Sequence, residues 1–361
     1  MSGSKCQRKD SNTRQNANSS ESTAEGSARM PKRDAEFWFE DGSVILIVRD
    51  AEFHIYKGIL ADYSPVFQDM FSLPQPSTHG TLTAPDTCPV MHLSDSPEDL
   101  RHVLRVCMPK SDSSFGPFTQ QARPSYHMIS AVIRLRHKYQ MQNMVTQGVD
   151  YLKRWFTTDY PAWSAGALYE PDTPLECVHA MGVINLARLV DVPALLPTAL
   201  LMCCGLDEEV VKGFVCEDGS LETLSLDDIG RCITAHSRLA EHMLVLTMRI
   251  FRPEVSDDCN FPTKCYRILQ AMLEGVENEL ENFAFSDVFV SWLEPFERHG
   301  GILFECCTEC QEMLKRRDRE ESFAVWKKLP DIMGVHVEGW AATYELFSDS
   351  SAGAVAVLRG H

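Results

Sequence analysis

Residues 43–71 read SVILIVRDAEFHIYKGILADYSPVFQDMF, and little else in the chain restricts the fold so tightly. Val44 to Val48 are five consecutive apolar residues, four of them β-branched, a run that suits a strand covered on both faces. A polar break follows at Arg49 to Glu52. Phe53 and Ile55 then alternate with His54 and Tyr56, the period of a half-buried strand. The two runs predict a hairpin. Lys57 to Asp62 predicts a short helix presenting Ile59 and Leu60. Ser64-Pro65 predicts the start of another, because serine caps a helix and proline at the first helical position gives up a donor that has no partner anyway. Val66, Phe67, Met70 and Phe71 follow at helical spacing. So small a sheet cannot shield both of its faces, so helices must cover it, and the fold class is α+β.

The same devices recur downstream. CPVMHL (88–93) predicts a third strand. Ser96-Pro97 opens a helix carrying Leu100, Val103, Leu104 and Cys107, which Pro109 stops. Turn and breaker residues make 72–87 and the stretch up to about 124 loops. Met128, Val132, Leu135 and Tyr139, then Val145, Val149, Leu152 and Phe156, mark a closing helical pair. Beyond it the pattern is helical. Ile229, Cys232, His236, Leu239, Met243, Leu246 and Ile250 recur at three and four residues, and Ile268, Met272, Val276 and Leu280 repeat the theme. Val288, Trp292 and Phe296 predict one more helix, and 301–321 another. The expected organisation is a disordered polar tail (1–35), an α+β domain (36–157), a linker (158–171), an all-helical C-terminal domain (172–340) and a frayed end (341–361).

Charge and cysteine content narrow the function classes. The net charge is −17, and residues 1–33 hold seven Lys/Arg against three Asp/Glu, so the remainder carries 27 against 48, or −21. A body this acidic repels phosphate backbones, which argues against nucleic-acid partners. Thirteen cysteines, scattered through apolar segments behind an N-terminus with no apolar leader, predict reduced thiols in an intracellular protein, cytoplasmic or nuclear. VPALLPTALLMCCGL (192–206) is the strongest apolar run, too short and too proline-rich for a membrane span, and predicts a buried helix.

The chain offers little chemistry. It holds no P-loop, no G-x-G-x-x-G, no nucleophile elbow and no His-Glu-x-x-His. No catalytic residue, cofactor or small-molecule substrate is therefore expected, and the protein is read as no enzyme. CCTEC (306–310) is the sharpest metal candidate, since Cys307 and Cys310 have the spacing of thiolate zinc ligands. Downstream there is no second such pair, and Cys259, Cys265 and His299 would join only if the fold brought them close. Ile302, Cys306 and Cys310 also stand at i, i+4 and i+8, which reads as a buried helical face. The expectation is core thiols, with a metal or redox site using Cys306, Cys307 and Cys310 as the alternative. His236 reads as a core or edge histidine, the acidic run 273–282 as a solvated face, and CEDGSLE (216–222) lacks the alternating acidic ligands of a calcium loop.

The opening stretch, VMHLSDSPEDLRHVLRVCM (90–108) and AVIRLRHKYQMQNMVTQGVDYL (131–152), taken in order, resemble the strands, helical hairpin, central helix and closing pair of the BTB (POZ) domain. Ser64 to Phe67, MFSLP and the closing WKKLPDIMGVHVEGW are similar to the BTB proteins of mushroom-forming fungi. The resemblance implies a protein–protein interaction scaffold that forms homo- or hetero-oligomers. It also implies a contact near Phe37, Trp38 and Phe39, where the family often builds its dimer. A second implied role is substrate adaptor of a cullin-type ubiquitin ligase. Adaptors of that kind often carry a hydrophobic-x-Glu motif after Met-Phe, and the match here is Leu73-Pro74-Gln75, with glutamine in the acidic position. Two further departures are Ser43 ahead of the first strand and Cys107-Met108-Pro109 at the end of the central helix.

Overall fold

A computed structural model describes residues 31–73, 88–108, 123–165, 175–279, 288–298 and 301–341. Its first element is a strand that periodicity did not predict, β1 (Lys32–Trp38). The tail expected to reach residue 35 gives way to this strand because Asp34 anchors it. The Asp34 carboxylate accepts the backbone N–H groups of Glu36 and Phe37 at 2.9 and 2.8 Å, and Arg101 Nε donates to it at 2.6 Å. Burial works against the charge of Asp34, but Arg101 and the two N–H donors outweigh it and hold the carboxyl below its ordinary range.

β2 (Val44–Val48) and β3 (Ala51–Ile55) pair antiparallel, with Val48 opposite Ala51 and Val44 opposite Ile55. β4 (Val90–Leu93) lies parallel to β2, and β1 parallel to β3, so the mixed sheet runs β1-β3-β2-β4. Four strands replace the three expected. Val44, Leu46, Val48, Ala51, Phe53 and Ile55 all point inward, whereas Ile45 and Ile47 are only half-buried. The run is therefore covered fully on one face and partly on the other, not equally on both.

Helices α1 (Lys57–Tyr63) and α2 (Pro65–Ser72) form the predicted pair. Ser64 joins them to the rest: its Oγ accepts the Phe67 N–H at 3.0 Å and donates to the Tyr139 carbonyl at 2.6 Å. α3 (Pro97–Cys107) is capped by Ser96 and packs on α4 (Tyr126–Lys138), which pairs with α5 (Gln142–Trp155). A short helix, α6 (Tyr160–Ser164), stands in the stretch read as linker, with Trp163 buried.

The C-terminal region continues with α7 (His179–Leu189), α8 (Leu196–Cys204) and α9 (Glu209–Lys212). The expected all-helical character is interrupted by a small hairpin, β5 (Phe214–Val215) and β6 (Leu221–Glu222). Gly213 and Gly219 take φ +74° and +78°, which other residues rarely adopt, and these positions break the helical run. α10 (Leu226–Ile250) and α11 (Pro262–Glu279) follow the predicted stripes, with Cys232, Leu239, Leu246 and Ile250, then Ile268, Met272 and Val276 buried. Val288 to Phe296 is not one helix. It is a turn followed by α12 (Glu294–Glu297), because Asp318 accepts the Ser291 hydroxyl at 2.6 Å and the Trp292 N–H at 3.2 Å and fixes a bend there. α13 (Thr308–Lys327) and α14 (Leu329–Met333) close the described fold. Among the described residues no helix is long and apolar enough to cross a membrane.

Two cores result. One lies under the sheet and includes Phe37, Leu46, Phe53, Phe67, Leu104 and Tyr139. The other runs through the C-terminal helices but takes in Tyr126, Ile129 and Ile133 of α4 and Val149 and Leu152 of α5. The two regions meet where α4 packs on α7, and Gly182 lies at that contact. A Cβ there would overlap the Tyr126 ring and hydroxyl, so only glycine lets the helices approach. Gly182→Ala is expected to cost about 1–3 kcal/mol through overpacking, measured by urea denaturation, and Tyr126→Phe in the same chain should restore part of the loss.

Candidate functional sites

The aromatic trio divides. Phe37 is 1% exposed and belongs to the core, so it is not free to meet a partner. Trp38 and Phe39 are half-buried at the end of the edge strand β1. Trp38 lies against His54 (centroids 5.1 Å apart) with the Arg33 guanidinium 4.3 Å from its ring centre, and Phe39 lies against Tyr56 at 5.0 Å. Alternation along the strand explains the split: Phe37 faces the sheet's packed side and Trp38 the other. Leu73 is exposed at the end of α2, while Gln75 lies outside the described residues.

The seam between the two regions has an apolar centre and a charged rim. Tyr126 stacks on His179 at 4.5 Å, and Phe214 meets both rings edge-on. Burial, with His127 nearby, pushes His179 down to about 4, so it sits in the seam as a neutral ring. Around this centre the 216–222 segment, which has no ligand pattern of its own, supplies clamps. Glu222 takes Arg134 at 2.6 Å and Asn185 at 2.5 Å, Glu217 contacts His102 at 2.7 Å, and Asp218 pairs with Arg49 at 3.1 Å. The acidic hairpin thus faces three basic or imidazole side chains of the N-terminal region. Sequence reasoning missed this role, because the partners lie far away in the chain. The one local signal is a pair of acids, Glu217 and Asp218, on a glycine turn, with Glu222 four residues on.

The cysteines regroup. Cys259, Cys265, Cys307 and Cys310 place their four Sγ atoms within 4.8 Å of one another. Cys259 and Cys307 are 3.6 Å apart, and all four are free thiols. Cys306 is left out: it is buried beside Cys265 and belongs to the core. The expected helical face of Ile302, Cys306 and Cys310 does not form. A 3₁₀ turn (Ile302–Glu305) is followed by extended backbone at Cys306 and Cys307, and α13 begins only at Thr308. Cys307 therefore occupies the N-cap of α13, with Cys310 in its first turn. Cys265 occupies the first turn of α11, and Cys259 the loop ahead of it.

Two of the four sulfurs accept a backbone N–H. Ser256 donates to Cys310 at 3.5 Å and Cys307 donates to Cys265 at 3.4 Å. The backbone N–H of Phe261 favours the ionised form of Cys259, and those of Cys310 and Asn260 favour that of Cys307. Burial opposes ionisation of Cys307, but the Cys310 N–H, the Cys259 thiol and the Asn260 N–H bring it down to about 6. Burial pushes Cys310 up, and the Cys259 and Cys307 sulfurs add to the rise. His299, the other conditional partner, lies outside the described residues, and His236 is half-buried on α10, apart from the quartet.

Residues 40–154, comprising β2 to β4 and α1 to most of α5, match the family model of the BTB/POZ domain. No curated protein matches the chain.

Asp99 gives the seam a pH dependence. Burial raises its carboxyl to about 6, Asp218 adds to the rise, Arg134 opposes it, and Asp95 and Glu217 add again. Its folded pKa exceeds the ordinary 3.8, so the folded state takes up the proton first. Ionised Asp99 therefore costs stability above pH 6, and the cost fades as pH falls toward 4. Asp99→Asn is expected to raise the Tm relative to the parent more at pH 7 than at pH 4. An equal shift at both values in thermal melts would refute this assignment.

Proposed function

We propose, from the premise that the chain carries a BTB/POZ domain, that it is a non-catalytic scaffold joining protein partners through that domain. BTB/POZ domains are protein–protein interaction modules that mediate partnering and oligomerisation. One observation carries the reading beyond the family: the edge strand β1 is held by its own chain and still ends in two half-buried aromatics, Trp38 and Phe39. An edge strand offers unpaired backbone groups to a second chain, and aromatic side chains supply much of the energy at interfaces. The buried acids support a structural use of charge: Asp34 ties β1 to α3, Asp228 ties α10 to Arg188 of α7, and Asp318 fixes the turn at Trp292. Within the family, SPVF, MFSLP and the closing WKKLPDIMGVHVEGW favour the fungal, basidiomycete-type members.

Sedimentation velocity tests the reading. The parent is expected to run as a dimer or larger species, and Trp38→Ala/Phe39→Ala to weaken the association about tenfold or more. Phe37→Ala should instead lower the Tm, since it empties a core position. A parent that sediments as a monomer, and that captures no protein partner of defined stoichiometry, would sink the scaffold. A cullin captured by the parent and lost in Leu73→Ala would move the assignment to a ubiquitin-ligase adaptor.

A further inference from the structure

The four-cysteine cluster joins two helix starts, and the BTB domain has no part in it. We infer that Cys259, Cys265, Cys307 and Cys310 form a tetrathiolate site for one zinc ion, which staples the α10–α11 loop to the start of α13. Three independent features point to a metal in place of packed thiols.

The first is geometry. Zinc binds thiolates at about 2.3 Å, so the sulfurs of a tetrahedral site stand about 3.8 Å from one another. The observed separations, 3.6 Å for Cys259 to Cys307 and none above 4.8 Å, fit that shell. They are well beyond the roughly 2.05 Å of a disulfide bond. The second is hydrogen bonding. A buried thiol is a small apolar group that needs no donor, whereas a thiolate needs several. Here Cys310 and Cys265 each accept a backbone N–H, from Ser256 and Cys307. The third is the field of the helices. α11 and α13, of 18 and 20 residues, carry Cys265 in the first turn of one and Cys307 and Cys310 at the N-cap and first turn of the other, and direct their positive ends at the cluster. Arg317 adds a cation on the outer side, where it donates to the carbonyls of Arg252 and Glu254 in the same loop.

Four sulfurs this close cannot all ionise unless a cation stands among them, and a divalent ion at their centre supplies that charge. All four ligands come from the protein and no position is left for water or substrate, so the site is structural. Zinc fits the ligand set by softness and its tolerance of tetrahedral coordination.

The test is metal analysis of the full chain, expressed with zinc in the medium and purified without chelator. One zinc per chain is expected. Cys259→Ser and Cys310→Ser should each reduce it to background, while Cys306→Ser, which alters the excluded neighbour, should keep it. Should the quartet variants fail to fold, the parent alone decides: in native alkylation read by mass spectrometry, these four cysteines should be protected until a mercurial and a chelator strip the metal, and the Tm should fall with release. A parent without stoichiometric metal, disulfides among the four, or zinc retained in the quartet variants would overturn the site. Stoichiometric iron would overturn the choice of zinc.

Discussion

Helix α4 is buried around most of its circumference, and the arrangement of both halves of the chain depends on it. Tyr126, Ile129 and Ile133 enter the C-terminal core, and Leu135 and the following Tyr139 enter the core beneath the sheet. A helix that is apolar on several faces is stable only with partners on each. α3 and α5 supply one set and α7 another. At its C-terminal end Tyr139 stacks on Phe67 at 4.2 Å, bonds Asp95 through its hydroxyl, and offers its carbonyl to Ser64. Its N-terminal end is capped by Ser125 and holds the aromatic centre of the seam. Arg136 shows how completely the helix is enclosed: it is 0% exposed, its Nη2 reaches only the Cys107 sulfur at 3.8 Å among the described residues, and burial lowers its affinity for the proton.

What could be read from the sequence was local. Ser64, Ser96, Ser125 and Ser225 each cap a helix by accepting the N–H three residues on, and a cap needs no distant partner to be recognised. The β2–β3 hairpin follows from alternation across a two-residue turn. Failures occurred where distant residues decide. β1 exists because β3 pairs with it in parallel and Arg101, 67 residues away, completes Asp34. The helix expected across Trp292 yields to Asp318, whose carboxylate holds a turn from another element. The hairpin at 214–222 has only two residues in each strand, too few for any period, and is fixed by contacts with the N-terminal region.

The cysteine cluster shows how a residue pattern depends on the element that is assumed to carry it. Ile302, Cys306 and Cys310 mark a buried face only if the helix is continuous, and the chain is extended at Cys306 and Cys307. Once that helix is gone, Cys307 turns away from Cys306 and toward Cys259. The quartet could not be read from spacing alone, since Cys259 and Cys265 lie five residues apart by intervening count and more than forty residues before Cys307. The loop after α10 and the 3₁₀ turn before α13 offer few regular hydrogen bonds of their own. A bound ion closing so long a chain segment removes conformational freedom from the unfolded state and supplies order where helices do not.

The scaffold proposed above would work by holding partners at fixed separation, so rigid placement matters to it. Two devices limit the freedom of the C-terminal helices here. The seam sets their orientation through an aromatic centre ringed by Arg134–Glu222, His102–Glu217 and Arg49–Asp218, and the proposed thiolate staple would fix α11 against α13. The seam also consumes acids in a chain whose body carries −21 beyond residue 33. Most of the remaining acids stay on the surface, so the protein attracts basic partner surfaces from a distance and repels acidic ones, its own copies included. Self-association as proposed above would then rest on short-range apolar contact, the part assigned there to the aromatics at the end of the edge strand.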